Sequence, residues 1–223
     1  MHVKNMRVTK IEPQKRRPDR KSIFVDGDFL AGVSSETLLR TGLRTGDAID
    51  PATIQSLHST EGLLNAKNAA LRFLSVRPRT VREIRDKLRE KEFADSEINS
   101  TIEELQRAGL LDDASFARMY IRNAMQVRPI GKILLKRKML LLGVDLKTIE
   151  SALAESLPEY DQSQIAKASA EKFLARGSHT GKQRDLMKER KRAGGYLARR
   201  GFTWDVIEPI LNQLLPMHKR NTE

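Results

Sequence analysis

A helical unit that recurs along the chain constrains its fold more than any other feature. Superposing Arg77-Pro78 on Arg128-Pro129 brings Leu88 onto Met139, Phe93 onto Val144, Ile98 onto Ile149 and Ile102 onto Leu153. A second displacement places Leu197 on Leu88, Phe202 on Phe93, Ile207 on Ile98 and Leu211 on Ile102. The same pattern thus occurs three times: an amphipathic helix, a tight break carrying Phe or Val, then another amphipathic helix. Repetition at roughly 50 residues marks an array of supersecondary units, each needing a neighbour to cover its apolar face. Arrays present long surfaces, so a protein that binds something extended is the expectation before any motif is considered.

Charge narrows the partner. With 223 residues the chain can bury one sizeable core or two small ones. Its formal net charge of +12 favours polyanions: nucleic acid, an acidic protein face or an anionic membrane. The absence of cysteine excludes disulfides, thiol catalysis and cysteine-ligated zinc or iron–sulfur sites. It also fits a cytoplasmic protein. Residues 1–20 are basic with no apolar run behind them, so no signal peptide is expected, and no stretch approaches the ~20 apolar residues of a membrane span.

Periodicity divides the chain. Residues 1–60 read as a small β-containing module, with a hairpin over Lys21–Val33 turning at Asp26-Gly27 and a third strand over Met6–Ile11. Lys15, Arg16, Arg17, Arg20 and Lys21 read as a basic connection broken by Pro13 and Pro18, and Ser35–Arg40 as a short helix ended by Gly42. Three-helix repeats are expected over 61–112, 113–158 and 159–216, with a frayed tail over 217–223. In the first, helix begins at Gly62, Thr80 and Glu83 form a capping box, and Ala94 at the aligned cap position shifts the cap to Asp95. In the second, Asp113 and Asp145 read as N-caps and Gly143 as a left-handed helix stop. In the third, Ile165–Ala175 precedes a polar connection, Arg176–Gln183, and a strongly basic helix around Lys188–Arg200.

No enzyme can be assembled from these residues. Gly131-Lys132 and Gly181-Lys182 lack the upstream glycine and following Ser/Thr of a phosphate loop. Asp112-Asp113 reads as a helix cap rather than a metal or acid pair. His2, His58, His179 and His218 have neither metal-ligand nor triad spacing. No catalytic residue, metal or cofactor is expected. The informative side chains are basic: Lys132, Lys136 and Arg137 on one helix, and Lys188, Arg190, Lys191, Arg192, Arg199 and Arg200 on another. These helices hold equivalent middle positions in successive repeats, so stacking would align the clusters. The bland reading is a solvated helix face. Leu140 and Leu141 are expected to be buried between repeats, the alternative being an exposed partner contact, and Trp204 and Phe202 are expected to be core. With aromatics at only 5%, a binding mode built on base stacking is weak.

Several of these residues together resemble the RecX family of bacterial regulatory proteins. They are Arg77-Pro78-Arg79-Thr80 with Glu83 and Leu88, Gly109-Leu110-Leu111-Asp112-Asp113, and Phe116-Ala117. Gly131 with Lys132, the Lys138–Val144 segment and Arg199-Arg200-Gly201-Phe202-Thr203 with Ile207 continue the family's order through about Leu214. One departure is Glu92, where the family usually has glycine. The resemblance implies a mainly α fold, a tandem array of three-helix repeats forming an elongated, curved molecule, behind the small β module. It further implies a non-enzymatic protein that binds RecA protein and the RecA–DNA filament; a monomer is expected. Such a protein restrains ATP hydrolysis, strand exchange and co-protease activity in DNA repair and the SOS response. The alternative is a direct DNA- or RNA-binding protein built from helix-turn-helix-like three-helix units, although no glycine-containing turn followed by a polar recognition helix is clear.

Overall fold

The computed structural model describes residues 6–177 and 185–216. The N-terminal module is an antiparallel sheet of β1 (Met6–Gln14), β2 (Arg17–Val25), β3 (Asp28–Ser34) and β4 (Ala48–Ile49), in the order β3-β2-β1-β4. Alternation places Val8, Ile23, Val25, Ala31 and Val33 on one buried face, closed by Ile49 and Leu57. The β2–β3 turn has positive φ at both Asp26 (50°) and Gly27 (93°), the geometry that follows the twist of a two-residue hairpin. The Asp26 carboxylate accepts the Arg7 N–H at 2.9 Å and ties the turn to β1.

The basic stretch expected as a connection is mostly strand. Only Lys15 and Arg16 turn, and Arg17–Lys21 belong to β2. Pro18 is tolerated because pairing with β3 starts only at Arg20, and the register with β1 slips between Pro13 and Gln14, so its missing N–H breaks no ladder bond.

Helix α1 (Ser35–Thr41) ends at Gly42 in the left-handed region. Helix α2 (Pro51–Val76) starts well before the expected Gly62. Asp50 caps it by accepting the Thr53 N–H at 2.7 Å, and Pro51 sits in the first turn, where its absent N–H costs nothing. Gly62 lies mid-helix, where a Cβ would meet the end of the Glu97 side chain.

The remaining helices are α3 (Val81–Arg89), α4 (Asp95–Arg107), α5 (Asp113–Val127), α6 (Lys132–Leu141), α7 (Leu146–Ser156), α8 (Gln162–Gly177), α9 (Leu186–Arg199) and α10 (Trp204–Leu214). The chain is mainly α, a series of three-helix repeats behind the small β module. One break geometry recurs. Glu92, Gly143 and Gly201 have φ of 62°, 89° and 85°. The N–H of the next residue then returns to the helix before it: Phe93 to Leu88 (3.3 Å), Val144 to Met139 (3.1 Å) and Phe202 to Leu197 (3.2 Å). This is the six-to-one bond of a Schellman stop. Val144 and Phe202 are buried, whereas Phe93, expected to match them, is only half-buried.

The chain divides into two compact units: residues through Arg79 with Glu83–Leu111, and Thr80–Arg82 with the residues from Asp112 on. In the first, α2 packs on α4 with Ala66, Ala69, Ala70, Ile98, Ile102 and Leu105 buried. The expected cap shift to Asp95 does not occur. Ala94 stays at the cap position, and the Glu97 carboxylate accepts its N–H at 3.0 Å. The second unit has one cluster around Ile121, Leu135, Met139, Ile149 and Leu153, and another around Ala193, Leu197, Phe202, Ile207 and Leu211.

Candidate functional site

The expected interface residues lie on α6 and α9 or, for Arg200, just past the end of α9, and all belong to the second unit. Each helix has a narrow buried stripe, Leu135 and Met139 on α6, Ala193, Gly194 and Leu197 on α9. The remaining positions are free to carry charge. Lys132, Arg137, Lys188, Lys191, Arg192 and Arg199 are exposed. Lys136 is half-buried and pairs with Glu150 of α7 at 2.7 Å. Lys188 pairs with Asp185, the cap of its own helix, at 3.1 Å. Accepting the Lys188 backbone N–H, with help from its side chain, holds the Asp185 carboxyl below its ordinary value of 3.8.

Two of the nine residues serve the fold. Arg190 donates to Asn212 Oδ1 at 2.6 Å and to the Leu215 carbonyl at 3.2 Å, fastening α9 to α10. The Arg200 guanidinium lies 5.7 Å from the Tyr196 ring centroid, donates to the Tyr196 hydroxyl at 3.1 Å, and bonds the Pro129 carbonyl.

Helices α9 and α6 meet end to end. The Gly131 N–H donates to the Arg200 carbonyl at 2.9 Å, and the Ile133 N–H to the Gly201 carbonyl at 3.0 Å. The orphan carbonyls of one helix end thereby satisfy the orphan N–H groups of the next, and opposite dipole ends face each other. The approach requires glycine on both sides. A Cβ on Gly131 would lie 2.2 Å from the Gly201 carbonyl carbon, and one on Gly201 would lie 2.3 Å from the Leu134 nitrogen. Gly131-Lys132 therefore forms a helix junction, and the helix N-terminus that a phosphate loop would offer is already occupied by protein.

Other expectations resolve as follows. Asp112, one residue before the expected cap, accepts the Ala114 and Ser115 N–H groups; the Ser115 hydroxyl, above all, holds its carboxyl below the usual range. Asp113 accepts the Val81 N–H at 2.9 Å. The Thr80 hydroxyl donates to the Leu142 carbonyl at 2.6 Å. His58 is exposed on α2, while His2, His179, His218, Gly181-Lys182 and the 217–223 tail lie outside the described residues. Among the described residues no group of three or more His, Cys, Asp or Glu is placed to hold a metal, and no helix is long and apolar enough to cross a membrane.

Two apolar expectations are corrected. Leu140 and Leu141 are exposed, because Leu135 and Met139 form the buried line of α6, with Leu134 and Leu142 half-buried beside it, and positions 140 and 141 fall on the opposite side. Trp204 is 60% exposed, because it opens α10 at the first helical position while Ile207, Ile210 and Leu211 supply that helix's buried face. Its ring lies beside Gly194 of α9. Helical spacing alone would not have found this: Trp204 precedes Ile207 by three residues and shares its side of the helix, but it falls at the helix start.

The comparisons with known proteins agree along the chain. Four family models match in order: the RecX N-terminal domain over residues 6–50, and the first, second and third RecX three-helix domains over residues 66–105, 112–153 and 159–211. A regulatory protein RecX of Clostridium acetobutylicum is 30% identical over 93% of this chain and 95% of its own length. One from Bacillus licheniformis is 33% identical over 92% of this chain and 76% of its own. A crystal structure of a regulatory protein RecX superposes with a TM-score of 0.75 at 25% identity, covering 92% of this chain and 98% of that one. Matching domains in one order, relatives similar over nearly the whole of this chain and a shared fold make this chain a member of the RecX family of regulatory proteins.

Proposed function

We propose that the chain binds the RecA recombinase filament and restrains its ATP hydrolysis, strand exchange and co-protease activity, without catalysis, cofactor or metal of its own. Beyond family membership, the observation that carries this reading is the end-to-end junction of α9 and α6. It brings the end of one cation-bearing helix against the start of another on the second unit. A nucleoprotein filament offers phosphates and acidic protein surface in repeated arrangement, and either complements cations so gathered. Successive repeats contacting successive protomers would oppose the motions that accompany ATP turnover. On this reading the protein acts as a cytoplasmic monomer in DNA repair and the SOS response.

The test is RecA's DNA-dependent ATPase. Substoichiometric amounts of this protein lower hydrolysis if one molecule affects several protomers. Unchanged hydrolysis and strand exchange at a large molar excess would rule the reading out.

A second reading, direct binding to DNA or RNA, draws on Trp204, an exposed indole beside the cation-rich α9. Gel-shift titration on bare DNA at two salt concentrations, with and without RecA, separates the two. Tight binding that needs no RecA favours the second.

A further inference from the structure

A groove of about 580 Å³ runs along α8 in the second unit, between the C-terminal end of α5 and the C-terminal half of α9. One stripe of α8 forms its length: Ile165, Ala168, Ser169, Lys172, Phe173 and Arg176 recur at helical spacing. Ile165, Ala168 and Phe173 are its apolar members, Ser169 and the neighbouring Gln164 are neutral and polar, and its C-terminal half carries two cations. Val127, 86% exposed at the end of α5, extends the apolar part, and Arg128 and Arg200 extend the basic part. No aspartate or glutamate lines the groove. Among the described residues Arg128, Lys172 and Arg176 make no ion pair and no side-chain hydrogen bond to another residue's side chain.

We propose that this groove docks an acidic, amphipathic segment of a protein partner. An apolar side chain of the segment seats against Ile165, Ala168 and Phe173, and its flanking carboxylates pair with Arg128, Lys172 and Arg176. Arg128, Lys172 and Arg176, none of them in an ion pair among the described residues, leave a positive field that a carboxylate-rich chain neutralises. The half-buried Ile165 and Phe173 and the exposed Ala168 supply the burial that charge alone cannot. The volume falls within the ordinary range for a binding cleft.

Nucleic acid fits less well, because its bases need open ring faces. The two rings here stack on each other, with centroids of Phe173 and Tyr196 4.4 Å apart and planes at 14°. The Arg200 guanidinium lies over the Tyr196 ring, which leaves that ring as a wall of the groove rather than a platform for a base. The site is distinct from the exposed cations of α6 and α9, and it does not depend on which protein supplies the segment.

The experiment is fluorescence anisotropy on the full chain, with no RecA and no DNA present, so its failure leaves the RecA reading standing. The probe is a labelled peptide of alternating Glu and Asp around a central Leu-Phe pair. A matched peptide carries Ser-Ser at the centre, and a labelled oligo-dT is the third probe. The Leu-Phe peptide binds more tightly than the Ser-Ser peptide. Arg128→Glu/Lys172→Glu/Arg176→Glu weakens that binding about tenfold or more, as removal of several rim charges does. Ala168→Trp, which fills the groove at unchanged charge, weakens it too. Circular dichroism melting confirms that each variant folds, and either variant alone is decisive if the other does not. Equal binding of the two peptides overturns the proposal, as does unchanged binding by a folded variant. Oligo-dT binding that exceeds peptide binding and is abolished by Ala168→Trp also overturns it, and would make the groove a nucleic-acid site.

Discussion

At the residue scale, three equivalent positions show how one backbone geometry is served by different side chains. Glu92, Gly143 and Gly201 all adopt a left-handed conformation that favours glycine. Beside Gly143 a Cβ would lie 2.4 Å from the Arg82 Cβ, and beside Gly201 it would strike the backbone of α6. Position 92 is exposed, so its side chain is tolerated at the expense of strain. Replacing Glu92 with Gly is therefore expected to stabilise the protein by about 0.5–1 kcal/mol, strain relief being partly offset by unfolded-chain entropy. Gly201→Ala is expected to destabilise it by about 2–4 kcal/mol, since strain and a backbone collision add. Urea midpoints at constant m-value measure both; equal effects at the two sites would refute the distinction.

Glu61 gives a pH prediction at the same scale. It is 8% exposed and joins α2 to the β module: Arg20 (2.9 Å), the Ser34 N–H (2.8 Å), the Thr37 hydroxyl (2.6 Å) and Asn65 (3.0 Å) all donate to it. Burial pushes its carboxyl up, but the bonds from Ser34, Thr37 and Asn65 outweigh that and hold it below its ordinary value of 4.5. A carboxyl depressed by folding contributes stability that is complete above 4.5 and fades as pH falls through the lower folded value. Glu61→Gln is expected to lose about 1–3 kcal/mol at pH 7. The gap between wild type and variant should narrow as pH falls below 4.5. A gap that widens on acidification would show the opposite shift.

At the scale of elements, helix packing distinguishes rings that the sequence treats alike. Phe202 and Trp204 are two residues apart, yet Phe202 is 2% exposed in the α9–α10 core while Trp204 faces outward. Phe202→Ala should cost on the order of 3–5 kcal/mol, as truncation of a buried ring does. As the lone tryptophan, Trp204 reports its own position: acrylamide should quench native emission nearly as well as emission in denaturant. Strongly protected native fluorescence would place the ring in the core instead.

At the scale of the whole molecule, the net charge of +12 becomes a matter of where the cations go. Arg190 and Arg200 are engaged in holding helices together, and Lys136 and Lys188 have carboxylate partners. Lys132, Arg137 and Lys191 are exposed without such partners among the described residues. Reversing these three to Glu should leave melting nearly unchanged, because exposed charges contribute little to stability. Filament binding, measured by co-sedimentation with RecA–DNA, should weaken strongly, and wild-type binding should fall as salt rises. Retained binding by the folded reversal would reduce Lys132, Arg137 and Lys191 to solvation.

Much of this protein was legible from spacing alone. The three breaks, the buried Leu88, Ile98, Leu197, Ile207 and Leu211, the Asp26-Gly27 turn and the Gly42 and Gly143 stops follow from local rules, since turn and cap chemistry act over a few residues. Family membership was legible for a related reason: the residues that carry the resemblance are the local punctuation of each repeat. Tertiary structure decided what depends on distant chain. Whether Arg200 is a free cation or a clamp rests on the Pro129 carbonyl and its own neighbour Tyr196. Whether Gly131 meets a phosphate or another helix rests on Gly201. The groove on α8 is invisible in sequence because its cations are spread over α5, α8 and α9 and converge only when those helices pack. Periodicity identifies the side of a helix that leaves water; what the other side faces depends on neighbours that no local pattern specifies.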